Sequence, residues 1–170
     1  MEKQIDRVYR ILQRMVGLHR QLLECVRTER EALVSADIKK IADVTGVKQA
    51  LIETVRSAEA ERLGATAALA LQWRKPIREL TLNGIAIELQ GREPQTAAQF
   101  RSVLNTLTIL LQHIQTQNDD NSEFLKKSLE HVSQMKQNVL CEAVPKSNTY
   151  TAHGQRAGNA GGARLISKEA

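Results

Sequence analysis

Aromatic side chains are scarce in this chain: one Trp, two Tyr and two Phe among 170 residues, or 3%. Sandwiches, barrels and doubly wound sheets bury many aromatic and β-branched side chains, so this scarcity argues against them. Proline is rare as well, with three in all, which leaves room for very long helices. The two cysteines, Cys25 and Cys141, cannot build a disulfide framework. They read as free thiols of a protein kept in a reducing cytoplasm. No apolar run approaches the ~18 residues of a membrane span. Residues Met1 to Met15 mix charge with apolar positions and lack the continuous apolar stretch of a secretory signal.

A one-sided charge is also missing. The formal net charge is +5, but +3 of it sits in residues 143–170, which leaves +2 for the first 142. Within the helical stretches the signs alternate, as in Glu29-Arg30-Glu31, the pattern of a solvated face rather than of a nucleic-acid-binding one. Catalytic constellations are absent too. His19, His113, His131 and His153 show no paired spacing and no Cys at ligand distance in sequence, so no zinc motif exists. Gly154, Gly158, Gly161 and Gly162 follow no strand and precede no helix, unlike a phosphate loop. The expectation is a protein that is not an enzyme and uses no metal or cofactor.

What the chain does have is apolar spacing of three and four. Ile5, Val8, Leu12, Met15, Leu22, Val26 and Leu33 form one seam, with His19 and Glu29 at the two intervening positions. Only Gly17 interrupts it, at about 1 kcal/mol against alanine. Asp37 is placed to cap a second helix, whose seam reads Ile41, Val44, Lys48, Leu51, Val55, Ala58, Arg62, Ala65 and Leu69. Pro76 stops that helix near Trp73 by forcing its predecessor out of helical space. The turn between the two is so short that they must form an antiparallel hairpin. Thr81 caps a short helix over Leu82 to Leu89, and Pro94 opens a stretch free of Pro and Gly to about Glu142. Its seam runs Leu104, Leu107, Leu111, Ile114, Asn118, Asn121, Leu125, Ser128, Val132, Met135 and Val139. At 1.5 Å per residue this is a rod of roughly 70 Å, too long for one compact domain to cover. Its far end is solvated, covered by a partner, or paired with a second copy in a homodimer.

These elements predict an all-α fold: a long antiparallel hairpin, a short helix, and a long C-terminal helix in a coiled-coil-like bundle. The helices fall at about 3–35, 37–74, 82–89 and 95–142, making one helical domain over 1–142. Residues 143–170 are Gly-rich, basic and poor in large apolar side chains, and read as a flexible tail.

Polar residues interrupt every seam. If the hairpin folds back about Ala36, Lys48 lies opposite Glu24 and within reach of Glu29, while Arg62 lies opposite Arg10 and close to Asp6. Either these cations snorkel to the rim, or Glu29, Lys48, Asn118 and Asn121 form a polar seam that fixes register. A Lys48 pair near the surface contributes about 1 kcal/mol or less, which makes Lys48→Met neutral or stabilising. The two asparagines divide the long helix. Beyond them runs a second apolar stripe, Phe124, Leu125, Leu129, Val132, Met135, Val139 and Leu140. It packs on the hairpin, self-associates, or binds an amphipathic helix of a partner.

The pattern resembles the FlgN-type flagellar export chaperones. The likeness is carried by Leu22-Leu23 through Arg62, with Glu29, Ala32-Leu33, Asp37, Ile41, Val44, Lys48 and Leu51-Ile52 at the spacing of that family's hairpin. Gln117-Asn118-Asp119-Asp120-Asn121 followed by Leu125 and Leu129 is similar to its Asn-x-x-Asn on the long helix. Tyr150-Thr151-Ala152-His153-Gly154-Gln155 is similar to its tail element. Residues 63–95 and the segment after Gln155 lie outside the likeness. The resemblance implies a cytoplasmic chaperone of flagellar type III secretion that binds the C-terminal helical segments of hook-associated (hook–filament junction) proteins. It further implies delivery to the cytoplasmic domain of the export gate, with Tyr150 and Gly154 as docking residues and only indirect contact with the membrane. The rival readings are a structural coiled-coil spacer or scaffold without a client, a helical nucleic-acid binder with a basic tail, and a sibling flagellar chaperone for another client.

Overall fold

The structure, a computed structural model, describes residues 2–78 and 80–143. It is all-α, with α1 at Glu2–Val34, α2 at Ile38–Trp73, α3 at Leu82–Gln90 and α4 at Pro94–Ala143. No described helix is long and apolar enough to cross a membrane.

Local chemistry sets the boundaries. The Asp37 carboxylate accepts from the Lys40 backbone N–H at 3.0 Å and starts α2. The Thr81 hydroxyl accepts from the Gly84 N–H at 3.0 Å and starts α3. Such caps satisfy amides that a helix leaves without an internal partner. Pro94 is the first residue of α4, where its missing N–H costs nothing. Both long helices of the hairpin end on a left-handed residue that is not glycine, Ala36 and Arg74, each at φ 53. That conformation lets Asp37 N–H reach the Ala32 carbonyl (3.1 Å) and Lys75 N–H the Ala70 carbonyl (3.0 Å), closing each helix with a Schellman turn.

The hairpin is antiparallel, as its cross-links record. Lys40 meets Glu31 at 3.5 Å, Lys48 meets Glu29 at 2.8 Å, and Arg14 meets Glu61 at 2.8 Å. Each step back along α1 is a step forward along α2. Arg62 does not approach Asp6. It pairs with Glu59 one turn earlier on its own helix, while Asp6 pairs with Arg10. A partner three or four residues away is always in reach and needs no tertiary alignment.

One core joins the N-terminal half of α1, the C-terminal half of α2, α3 and the start of α4. Val8 and Leu12, Leu69, Ile85 and Leu89, and Phe100 are its largest fully buried members. Tyr9 lies against Phe100 with ring centroids 5.5 Å apart. The seams follow the expected spacing with small departures. Leu23 is buried rather than Leu22, and Ala32 rather than Leu33. Leu23 lies a whole number of 3.6-residue turns from Ile5, as Val26 does from Val8, whereas a strict heptad count drifts off that face. On α4, Leu107 and Ile114 are buried but Leu111 is half exposed at 51%.

The chain divides into two units, Met1–Lys127 and Ser128–Ala170. The first holds the core. In the second, every residue from 129 to 140 is exposed. The tail that the sequence predicts over 143–170 lies beyond the described residues, apart from Ala143.

Phe100 is the largest fully buried side chain and sits in the cluster that all four helices share. Phe100→Ala is therefore expected to lower unfolding stability by about 3–5 kcal/mol, read as a lower urea midpoint. A loss below about 1 kcal/mol would place Phe100 outside the core.

Candidate functional site: a three-helix polar cluster and an exposed apolar face

The seam substitutions on α1, α2 and α4 meet at one place. Lys48 Nζ donates to Glu29 Oε2 at 2.8 Å and to Asn118 Oδ1 at 2.8 Å. Asn121 Nδ2 donates to the Val26 carbonyl at 3.0 Å and to Glu29 Oε2 at 3.1 Å. Both partners of that nitrogen are pure acceptors, which fixes which way the Asn121 amide points. A single carboxylate oxygen on α1 thus receives a cation from α2 and an amide from α4.

Each helix supplies its residue because the hydrophobic spacing places that position on the shared face. Glu29 falls on the α1 seam, Lys48 on the α2 seam, and Asn118 and Asn121 one turn apart on α4. The Glu29 and Lys48 side chains are only 16% and 19% exposed, and Asn121 is buried at 4%. This is not a rim pair. Water is largely replaced by hydrogen-bonding partners, so attraction is strong and an unpaired member is costly. The cluster itself leaves one group unmatched, since Asn121 Oδ1 is buried without a partner.

Neighbouring contacts extend it. Arg30 Nη1 donates to the Asp120 carbonyl at 3.3 Å, and the guanidinium lies 4.2 Å from the centroid of the Phe124 ring, within cation–π range. Phe124 is half-buried under this cover. Cys25 is buried nearby, its thiol donating to the Val44 carbonyl at 3.6 Å. Burial, then the negative charge of Glu29, pushes the Cys25 thiol above its ordinary range, with Lys48 opposing. The thiol stays protonated at neutral pH and is a poor nucleophile. Among the described residues no three His, Cys, Asp or Glu side chains are grouped to hold a metal ion.

The remaining residues of the second α4 stripe are open. Leu125 is 45% exposed, and Leu129, Val132, Met135, Val139 and Leu140 between 54% and 65%. From Leu125 to Val139 the spacing of three and four repeats along one face of the helix, and Leu140 flanks it. A face of this kind can dock the apolar face of another helix. Tyr150 and Gly154 lie outside the described residues. Two concave sites have no counterpart in the sequence reading. One is a groove between α1 and α2 lined by Cys25, Val44, Val47 and Leu51. The other is a pocket among α2, α3 and α4. Seam positions read as filled contacts in a sequence, and periodicity carries no signal for a gap between helices.

The family model described as FlgN protein matches residues 1–158 of the chain. Neither a curated protein nor a solved structure matches it.

Because Glu29 is mostly out of water, removing its cation leaves its charge with the Asn121 amide alone. Lys48→Met is expected to destabilise the protein by about 1–3 kcal/mol rather than to be neutral. Glu29→Gln combined with Lys48→Met is expected to recover part of that loss. A double-mutant cycle by urea unfolding measures both, and additive effects would show that the two side chains do not interact.

Proposed function

The chain belongs to the FlgN family of flagellar export chaperones, and we propose from that premise that it acts in the cytoplasm as one helical domain over 1–142 with a tail over 143–170. Its clients are hook-associated (hook–filament junction) proteins, bound through their C-terminal helical segments and delivered to the export gate. The observation that carries the client face is the row of open apolar side chains on α4, Leu125, Leu129, Val132, Met135, Val139 and Leu140. Covering each such side chain is worth roughly 1.5–3 kcal/mol, so a few of them supply ample affinity for an amphipathic helix. Phe124 is better assigned to holding α4 on α1, because Arg30 already covers its ring. The polar cluster of Glu29, Lys48, Asn118 and Asn121 sets which face of α4 is left for the client.

The double substitution Leu129→Asp with Val132→Asp is expected to abolish co-purification with hook-associated clients while helicity and thermal unfolding stay unchanged. Normal client binding by this variant would rule out the face. A shift from dimer to monomer with client binding intact would assign the face to a second copy of the chain instead.

The tail carries the other half of the proposal. Tyr150 and Gly154 contact the cytoplasmic domain of the export gate, Tyr150 as a large amphipathic group with few rotamers to freeze on binding. Tyr150→Ala is expected to weaken gate binding and motility while client affinity and melting are unchanged. Unaltered gate binding and motility would remove the tail from the delivery step.

A further inference from the structure

The open face of α4 is not purely apolar. Counting on from Leu125 by fours and threes in strict alternation gives Leu129, Val132, position 136 and Val139. Position 136 is a lysine, with Met135 beside it. A helix that turns every 3.6 residues therefore sets Lys136 between Val132 and Val139, on the face that holds Leu129. Every residue from 129 to 140 is exposed, Lys136 among them. We propose, resting on the reading of this face as the client's, that it selects a helix carrying one Asp or Glu within its apolar stripe, and that Lys136 pairs with that carboxylate.

The chain itself supplies no acid for this lysine. Pairs along one helix form between residues three or four apart, and those places around Lys136 hold Val132, Ser133, Val139 and Leu140. Lys136 has no ion pair or hydrogen bond among the described residues. The two lysines before it differ. Lys127 meets Glu123 one turn back at 2.7 Å, and Lys126 has Glu130 four residues on. Glu130 is the one acid within residues 128–141. It lies about 160° around the helix from Val132, off the apolar face.

Covering the face turns this solitary cation into a constraint. The lysine stem lies along its apolar neighbours, but an occupant that seals the stripe takes water from the ammonium group. Binding is then weakened unless the occupant brings the opposite charge to that place. A helix that does so is favoured over one that does not.

The same count excludes a second copy of the chain as the matching occupant. Two such stripes packed together bring two lysines and no carboxylate into the seam, and like charges repel there. An uncharged helix leaves the ammonium unpaired, and a basic one opposes it. The matching occupant is an amphipathic helix of about three turns, the length from Leu129 to Leu140, with its carboxylate in the middle of the stripe.

The test is a fluorescence-anisotropy titration of the full-length protein with labelled helical peptides of Ala, Gln and Leu. Each has Leu three, four and seven residues to either side of a central residue, which is Glu, Gln or Lys. A fourth peptide keeps Gln at the centre and carries its Glu on the polar face. The central-Glu peptide is expected to bind about tenfold more tightly than the central-Gln one, and the central-Lys peptide more weakly than either. The fourth is expected to bind as the Gln peptide does. Added salt is expected to shrink the advantage of Glu.

Lys136 is exposed, so its variants fold. Lys136→Met is expected to abolish the preference for Glu over Gln, and Lys136→Glu to make the Lys peptide bind more tightly than the Glu peptide. Equal binding of the Glu and Gln peptides, with shifts centred on the Leu129, Val132 and Val139 methyl groups, would overturn the proposal while leaving the client face in place. Equal binding of the two Glu peptides, or an unaltered order in Lys136→Glu, would also overturn it. Saturable binding by none of the peptides would remove the client face as well.

Discussion

The hairpin and the long helix are tied together through one carboxylate. Glu29 receives Lys48 from α2 and Asn121 from α4, and Lys48 in turn reaches Asn118. Apolar seams alone do not define such an arrangement well. Leu, Val and Ile pack at neighbouring registers with small differences in energy, so a sliding error of one turn meets little resistance. A buried charge that finds its partner in one register only raises the energy of every other one. The price is visible in the same place, where Asn121 keeps a buried oxygen without a donor. Stability is given up for a defined alignment of α1, α2 and the asparagine layer of α4.

The elements whose causes are local were legible in the sequence. Asp37 and Thr81 as caps, Pro94 as a first helical residue and the stop near Trp73 each depend on a few neighbouring residues. Folding back about Ala36 likewise puts Lys48 near Glu29, since a tight turn converts counting into pairing. Registers counted over several heptads were less legible. Leu22 and Leu33 fit a seven-residue repeat, but the helix turns every 3.6 residues and buries Leu23 and Ala32 instead. Arg62 illustrates a different limit. Its position faces the core seam, yet Glu59 one turn away captures it first. Whether an ionic side chain bridges helices or turns to its own helix depends on what competes locally, and spacing alone does not record that competition.

The pocket among α2, α3 and α4 was not legible for a further reason. Thr66, Asn83 and Asn105 come from three separate helices, and none occupies a position that hydropathy singles out. Thr66 stands out only through the bond it does not make. Other helical threonines of the chain back-bond to their own turn, and this is what makes a hydroxyl neutral inside a helix. A sequence lists the hydroxyl; only coordinates show whether it is matched.

Along α4 the character of the seam positions changes in order. Phe100, Leu107 and Ile114 are buried and apolar, Asn118 and Asn121 are polar and bonded to the hairpin, and Leu129, Val132, Met135 and Val139 are exposed and apolar. This order separates two jobs that one continuous apolar seam would confuse. The first group contributes to folding, because its surface is already removed from water in the protein alone. The last contributes nothing comparable until something covers it, and its burial energy is therefore available for association. The asparagine layer between them supports neither role strongly in hydrophobic terms. It anchors α4 by hydrogen bonds whose value depends on geometry rather than on area, so the helix is held at that point without its open apolar residues being drawn into the core. Substitutions at Phe100, at Lys48 and at Leu129 thus probe three different quantities on one helix and its partners: core stability, alignment and capacity for association.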